Sequence, residues 1–538
     1  MSTWWRKGVV YQIYPRSFMD ANGDGVGDLA GILHRLDYLA SLGVDAVWIS
    51  PIYPSPMADF GYDVSNYTDI DPLFGTMADF DALLAGLHAR GLRLILDFVP
   101  NHTSDQHPWF MESAQDRSNP RHDWYIWRDP APDGGPPNNW VSIFGGPAWT
   151  YHPARGQYYL HIFLKEQPDL NWRNPSVKSA MFEALRFWLD KGVDGFRLDV
   201  IPNCFKHPAF PNNPPSPDAS KHASAWEWER FDHLYDSNQP EIHGLIRDLR
   251  ALVESYAGER VLIGETHFDD PHILARFYGA DDELHLPFNF QLTYRPWDAP
   301  AFRAVLSAYY AALPAFAQPN FVLGSHDVHR LATRFGPQNA HSAALLLLTL
   351  RGTPTLYYGD ELGMEDVPIP PEKARDPHGL GVPNMNLGRD PQRTPMPWDA
   401  SPNAGFSPAG VETWLPLSAD YQKLNVAAQN NDPASTLAYY RGLLALRRAI
   451  PALHAGALTL LESPASDALA YLRTSEGECL LIVLNFRDKS LRLDFSSLGQ
   501  AGTLLYQTRL PYAPRTSLAL AGLDLPPHAG YLLSVPTA

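Results

Sequence analysis

The sequence predicts an α/β architecture: a (β/α)8 barrel, interrupted after its third strand by an inserted domain and followed by a C-terminal β-sandwich. Three observations lead there. A unit of amphipathic helix, glycine and short apolar strand recurs along the first part of the chain. A stretch at 101–172 breaks that rhythm, and after about residue 456 the helical period gives way to short alternating runs.

The recurring unit is clearest in three places. In "GILHRLDYLASLGVDAVWISP" (31–51), Ile32, Leu36 and Leu39 share one helical face, Gly43 follows, and a strand starts at Val44. "DFDALLAGLHARGLRLILDFVPNH" (79–102) repeats it with Phe80, Leu83, Leu84 and Leu87 before Gly91. "SVKSAMFEALRFWLDKGVDGFRLDV" (176–200) repeats it with Val177, Met181, Leu185, Trp188 and Leu189 before Gly192. Spacings of three and four mark the buried face, and the glycine supplies a left-handed helix end. Helix–strand alternation implies parallel strands joined by right-handed crossovers. Further strands fit "VVYQIYP" (9–15), "RVLIGE" (260–265), "FVLGSHD" (321–327) and "TPTLYYGDE" (353–361), which makes seven and favours a closed barrel over a doubly wound sheet.

The barrel is assigned to 1–100 and 173–455. Residues 101–172 are rich in Trp, Asn, Pro and Gly without a helical period, and so long a stretch needs structure of its own. The runs "DALAYLRT", "CLLIVLNF" and "LRLDF" put an all-β domain at 456–538.

Composition excludes several roles. The 538 residues carry a formal charge of −17 with no Lys/Arg block, which argues against nucleic-acid and anionic-membrane partners. The longest apolar run, "AALLLLTL" (343–350), falls well short of the roughly 20 residues of a membrane span. Two distant cysteines, Cys204 and Cys479, make no disulfide framework, and "MSTWWRKGVV" lacks the apolar core of a signal peptide. A cytoplasmic enzyme is expected, a monomer or small homo-oligomer acting on a small molecule.

Chemistry gathers at the strand ends. In "GVDGFRLDV" (192–200), Arg197 and Asp199 share one face of a strand whose Phe196, Leu198 and Val200 demand burial. Burying an ion pair costs several kcal/mol per ion, so the pair calls for a use. Asp97, Asn101, His102, Glu265, His326 and Asp327 close other strands, where the active sites of such barrels lie. Acids flanked by His and Arg, without HExxH-type spacing, suit glycosyl transfer; a hydrolase holding zinc or manganese is the rival. In "DANGDGVGD" (20–28), Asp20, Asn22, Asp24 and Asp28 alternate around Val26, which can offer a carbonyl. Hard oxygen donors at that spacing suit structural Ca2+, although the EF-hand glutamate at position twelve is missing and a solvated Asx turn is the alternative.

The motifs "DFVPNH" (97–102), "GFRLDV" (195–200), "VLIGE" (261–265) and "SHD" (325–327) resemble the four signature regions of glycoside hydrolase family 13, the α-amylase family. "QPDLN" (167–171) resembles the motif that ends its inserted domain, and "GTPTLYYGDE" (352–361) its seventh barrel strand. The resemblance runs in register from residue 4 to at least 455. "WWRKGVVYQIYPRSF", "GYDVSNY", "RTPMPW" and "NAGFS" resemble its exo-acting α-glucosidase and oligo-1,6-glucosidase branch. No organic cofactor is implied.

That resemblance implies a retaining exo-α-glucosidase releasing terminal non-reducing glucose from short α-1,4- or α-1,6-glucosides, with transglucosylation as a further outcome. Trehalose synthase and sucrose-acting isomerase or transglucosylase are the alternatives. It makes Asp199 the nucleophile, kept charged by Arg197, Glu265 the general acid/base, raised toward operating pH by burial, and Asp327 the transition-state stabiliser. His102 and His326 would bond sugar hydroxyls, and Tyr62 and Phe144 would line the same subsite. Asp59 would pair with Arg393 across the blind end, Arg389 being the other arginine within reach. Members with the 20–28 loop carry Ca2+ or Mg2+ there. Two departures stand out: Ser325 replaces the usual Asn, and residues 201–217 follow no familiar continuation. Val200 is the residue associated with α-1,6-acting members.

Overall fold

The computed structural model describes residues 3–462, 465–508 and 516–536. Three parallel strands lead the chain: β1 (Val10–Ile13), β2 (Ala46–Ile49) and β3 (Arg93–Phe98). An antiparallel trio follows, β4 (Trp127–Arg128), β5 (Trp149–His152) and β6 (Gln157–Leu160), in the order β4-β6-β5. Five more parallel strands come next: β7 (Gly195–Leu198), β8 (Val261–Gly264), β9 (Leu286–Asn289), β10 (Asn320–Phe321) and β11 (Thr355–Tyr357). The eight parallel strands pair in chain order, β11 returns to β1, and a parallel bridge from Val322 to Thr355 joins the last two. The sheet closes into the expected barrel.

The helical readings hold, except that the first helix is broken at Arg35 into Leu29–His34 and Leu36–Leu42. Helix Leu36–Leu42 ends at Gly43 with φ 93°, and helix Pro175–Lys191 ends at Gly192 with φ 101°, both left-handed as the sequence requires. Met77–Ala89 starts on a full capping box between Thr76 and Asp79. Strand β9 is the one the sequence reading missed: only six helical residues, Pro271–Arg276, stand before it, so the helix–glycine–strand grammar is absent.

Strand alternation sorts the core into two layers. Val10, Ala46, Trp48, Ile95, Val261, Ile263, Leu286 and Phe288 fill the barrel, while Tyr11, Val47, Leu94, Leu96, Phe196 and Leu262 face the helices. Continuing the inward row of β3 and β7 past Ile95 leads to Asp97 and its register partner Arg197. The barrel interior therefore turns from apolar to charged toward the C-terminal ends of its strands. There the antiparallel insert is stitched on by bridges from His102 to Asp169 and from Tyr125 to Leu170.

Beyond Ala457 the chain is antiparallel. Strands β12 (Ala457–Leu460), β13 (Ala468–Ser475), β14 (Glu478–Asn485), β15 (Leu491–Leu493), β16 (Ala501–Gln507), β17 (Thr516–Ala519), β18 (Leu523–Leu525) and β19 (Gly530–Ser534) form two sheets. Six make one in the order β12-β13-β14-β19-β16-β17, and β15 pairs with β18. They enclose a separate apolar cluster that includes Leu481, Val483, Leu520 and Leu533. Among the described residues no helix is long and apolar enough to cross a membrane.

Candidate active site

Arg197 organises the charged end of the barrel. Its guanidinium, 1% exposed, lies 2.8 Å from Asp97 Oδ1, 2.6 Å from Asp199 Oδ1 and 2.7 Å from Glu265 Oε2. Strands β3, β7 and β8 end side by side, so their closing acids meet around one cation. Val200, just past β7, is in the left-handed region at φ 35° and ψ 40°, a costly conformation for a β-branched residue. That turn aims the Val200 N–H at Glu265 Oε2, 2.8 Å away.

The third expected acid, Asp327, closes the ring from after β10. Its Oδ1 is 3.1 Å from Arg389 Nη1 and 3.0 Å from Arg393 Nη2, and its Oδ2 is 3.2 Å from His326 Nε2. Ser325 has a definite job: its Oγ accepts the Asp327 backbone N–H at 3.2 Å. The expected partner of Asp59 needs correction. Arg389, not Arg393, meets it, at 2.7 Å, and also holds Asp376 at 2.7 Å. Arg393 is turned away by its own anchors, donating from Nε to the His326 carbonyl at 2.8 Å and lying over the Tyr14 ring. Both arginines reach Asp327, so the pair works as one cationic wall.

Neutral polar groups and aromatics complete the cluster. The Tyr62 hydroxyl contacts Asp97 Oδ2 at 3.0 Å and His326 Nε2 at 2.7 Å, while Gln12 meets His326 Nδ1 at 2.7 Å. His102 lies between Asn101 and Gln167, 3.1 Å from each, and Gln167 also donates to Asp59 at 3.2 Å. Phe144 lies under the Arg389 guanidinium, 5.1 Å from it, and beside His378. Contacts thus chain all ten expected catalytic and sugar-binding residues together. Asp376, His267, Tyr294 and Lys206, which meets Asp169 of the "QPDLN" motif at 2.6 Å, were missed, because each comes from a loop with no local pattern.

Burial and charge set the protonation states. Burial pushes His102 and His326 down to about 3, so both are neutral hydrogen-bonding groups at ordinary pH. Burial works against Asp327 as an anion, but His326, Arg389 and Arg393 outweigh it and hold the carboxyl well below its usual range. Burial lifts Asp97 to about 6 despite Arg197. Burial works to raise both Asp199 and Glu265; Arg197 donates to Asp199, and Arg197 and His267 pull Glu265 the other way, so the rise that burial alone would give Glu265 is opposed. Three carboxyls share one guanidinium, so Asp97, Asp199 and Glu265 titrate as a group.

The 20–28 loop stands apart, tied down where Ser407 donates to Asp20 Oδ2 at 2.7 Å. Asp20 accepts the Gly23 and Gly25 N–H groups, Asp28 those of Ala21, Asn22 and Gly31, Asn22 that of Asp24, and Asp24 that of Val26. Its aspartates each turn to backbone donors, and among the described residues no three acidic, His or Cys side chains converge as a metal cluster. The donor set itself, carboxylate and amide oxygens with lone pairs to spare, fits a hard cation.

Comparison with known proteins agrees with this geometry. The family described as "Alpha amylase, catalytic domain" matches residues 12–456, and that described as "Maltogenic Amylase, C-terminal domain" matches 458–532. A "Probable alpha-glucosidase" of Rhizobium meliloti (strain 1021) is 43% identical over 500 residues, covering 90% of each chain. An "Oligo-1,6-glucosidase" of Parageobacillus thermoglucosidasius is 39% identical over 524 residues, covering 90% of this chain and 91% of the relative. Among solved structures, the alpha-glucosyl transfer enzyme XgtA superposes with a TM-score of 0.93 at 41% identity over the full length of both chains. The trehalulose synthase MutB from Pseudomonas mesoacidophila MX-45 does so with 0.88 at 36%, again over both full chains.

Proposed function

The chain belongs to the α-amylase family, and within it we propose a retaining exo-α-glucosidase that removes terminal non-reducing glucose from short α-glucosides. One observation carries this reading: a single buried guanidinium, Arg197, holds Asp199 and Glu265 together, opposite a wall built from Arg389, Asp59 and Asp376. Two acids so close suit the retaining geometry, in which about 5–5.5 Å separates nucleophile from acid. An ion-paired wall of this kind would close one end of the site, admitting a single terminal sugar and stopping a longer chain.

Asp199 attacks the anomeric carbon and forms a glucosyl ester as the glycosidic bond breaks; Glu265 gives its proton to the departing oxygen. Water then enters, yields a proton to Glu265 and releases glucose. For this Glu265 must carry a proton when the sugar is bound, and a bound glucoside favours that state, since the positive charge developing at its anomeric carbon keeps Asp199 ionised. Asp327, held ionised by two arginines, and the neutral His102 and His326 grip hydroxyls of the same glucose. Tyr62 and Phe144 pack its faces.

Chromatographic analysis of products from maltose, isomaltose, sucrose and trehalose tests the reading. Glucose from the first two supports it. Trehalulose or isomaltulose from sucrose as the main product, the outcome favoured by the likeness to MutB, would replace it by an isomerase. The 20–28 loop is proposed to hold Ca2+, or Mg2+, on the strength of its donor set, with elemental analysis and a lowered melting temperature in chelator as its tests. A cytoplasmic monomer or small homo-oligomer is in keeping with two buried, unpaired cysteines.

A further inference from the structure

The two oxygens of Glu265 are not equivalent. Oε2 accepts the Val200 N–H at 2.8 Å and lies 2.7 Å from Arg197 Nη2, so it faces hydrogen donors and has no place for a proton. The proton exchanged with substrate must therefore ride on Oε1. Among the described residues, that oxygen's hydrogen-bond neighbour is His267 Nε2, at 3.0 Å. The imidazole is fixed in plane by stacking on Phe290, 4.3 Å away and 7° from parallel. Its segment is pinned where Gln291 donates to the Phe268 and Asp269 carbonyls. On the far side, Nδ1 lies 3.4 Å from the Tyr294 hydroxyl, and the His267 side chain is 40% exposed. The charged groups that act on this corner are Glu265 in front, Arg197 behind that carboxyl, Asp327, and, on the Tyr294 side, Arg334 and Asp269, the last paired with Arg295.

We infer that His267 is a positioning residue for the general acid/base, donating its Nε2–H to one lone pair of Glu265 Oε1 so that the other lone pair carries the transferable proton toward the leaving oxygen. Tyr294, donating to Nδ1, selects that tautomer. The inference rests on the proposed role of Glu265 and goes beyond it by assigning the working oxygen and the group that sets its acidity. In the first half-reaction the proton leaves Oε1 for the departing oxygen as the Asp199 ester forms. In the second, water returns a proton to Oε1 and its oxygen to the anomeric carbon. His267 neither gains nor loses a proton in either. Burial works to raise Glu265, and His267 is among the groups that bring it down, so removing the imidazole should raise it.

The alkaline limb of kcat/KM reports the acid of the free enzyme, which makes the test direct. His267→Phe keeps the stack on Phe290 and removes the donor; its alkaline limb should move up by about one pH unit. His267→Gln, which restores an amide N–H, should bring most of that shift back, and Tyr294→Phe should give a smaller shift in the same direction. Circular dichroism and turnover of α-glucosyl fluoride, which needs little acid assistance, show that each variant is folded. Glu265→Ala, run on maltose and on the fluoride, separates the two claims. If Glu265→Ala spares the fluoride but the limb of His267→Phe coincides with that of the parent, the positioning role is wrong and the reading of Glu265 stands. If Glu265→Ala loses both substrates equally, Glu265 is not the acid and the inference falls with it.

Discussion

Strand β7 has a buried charge at each end, and the two keep opposite company. Just before the strand, the Asp194 carboxylate meets His88 at 2.7 Å, Arg93 at 3.1 Å, Arg260 at 3.6 Å and the Leu94 N–H at 2.9 Å. At the other end one cation, Arg197, faces three carboxylates. Below, Arg93 reaches water, with a side chain 44% exposed, so surplus positive charge is solvated. Above, Asp97, Asp199 and Glu265 are all buried, and surplus negative charge has nowhere to go. A charge cluster that only holds a barrel together can be balanced. One that must hand a proton back and forth is left short of counter-charge.

Four experiments press on that contrast. Asp199→Asn and Glu265→Gln should each lower kcat at least about a thousandfold while leaving the melting temperature unchanged or higher, since each relieves crowded negative charge. Near-normal turnover in either would dissolve the distinction between the two ends. Arg389→Ala opens the blind wall and frees Asp59 and Asp376, and should raise KM for maltose about a hundredfold with a smaller change in kcat. Asp194→Asn should show the reverse behaviour: a loss of about 2 kcal/mol in urea unfolding, with kcat/KM for maltose intact.

The smallest effect concerns pH. Burial brings His102, His107 and His326 to about 3 in the folded chain, below the ordinary value near 6.5. Between those limits the unfolded chain binds more protons, so stability falls as pH drops from about 6.5 toward 3. Melting temperatures measured from pH 7.5 to 4.5 should decline, and His107→Asn, which keeps an acceptor for the Trp109 N–H, should flatten the slope. An unchanged slope would show that His107 is not among the groups responsible.

Much of this is legible in the sequence. Helices ending at Gly43 and Gly192 announce themselves because a left-handed residue after an apolar face is a local signal. Arg197, Asp199, Glu265 and Asp327 were legible because each charge interrupts or closes an apolar strand. Strand β9 was not, since "HLPFNF" has a proline and no glycine-capped helix ahead of it. The choice between Arg389 and Arg393 was likewise invisible: both flank the short turn Asp390–Gln392, and only the packed fold shows which guanidinium faces Asp59. His267 sits two residues from Glu265, yet nothing in "GETHF" tells whether its ring folds back. That depends on Phe290, from another strand end.

Val200 deserves a practical warning for anyone seeking a hardier catalyst. A glycine at this position would shed about 1 kcal/mol of backbone discomfort, and where that outweighs the lost packing of the valine against the Trp140 and Phe210 cluster a heat-challenge screen would pick it as a winner. The same change would slacken the peptide whose N–H steadies Glu265. Thermal tolerance gained at residue 200 should therefore be bought with turnover, and libraries scored on survival alone will enrich for the wrong clones.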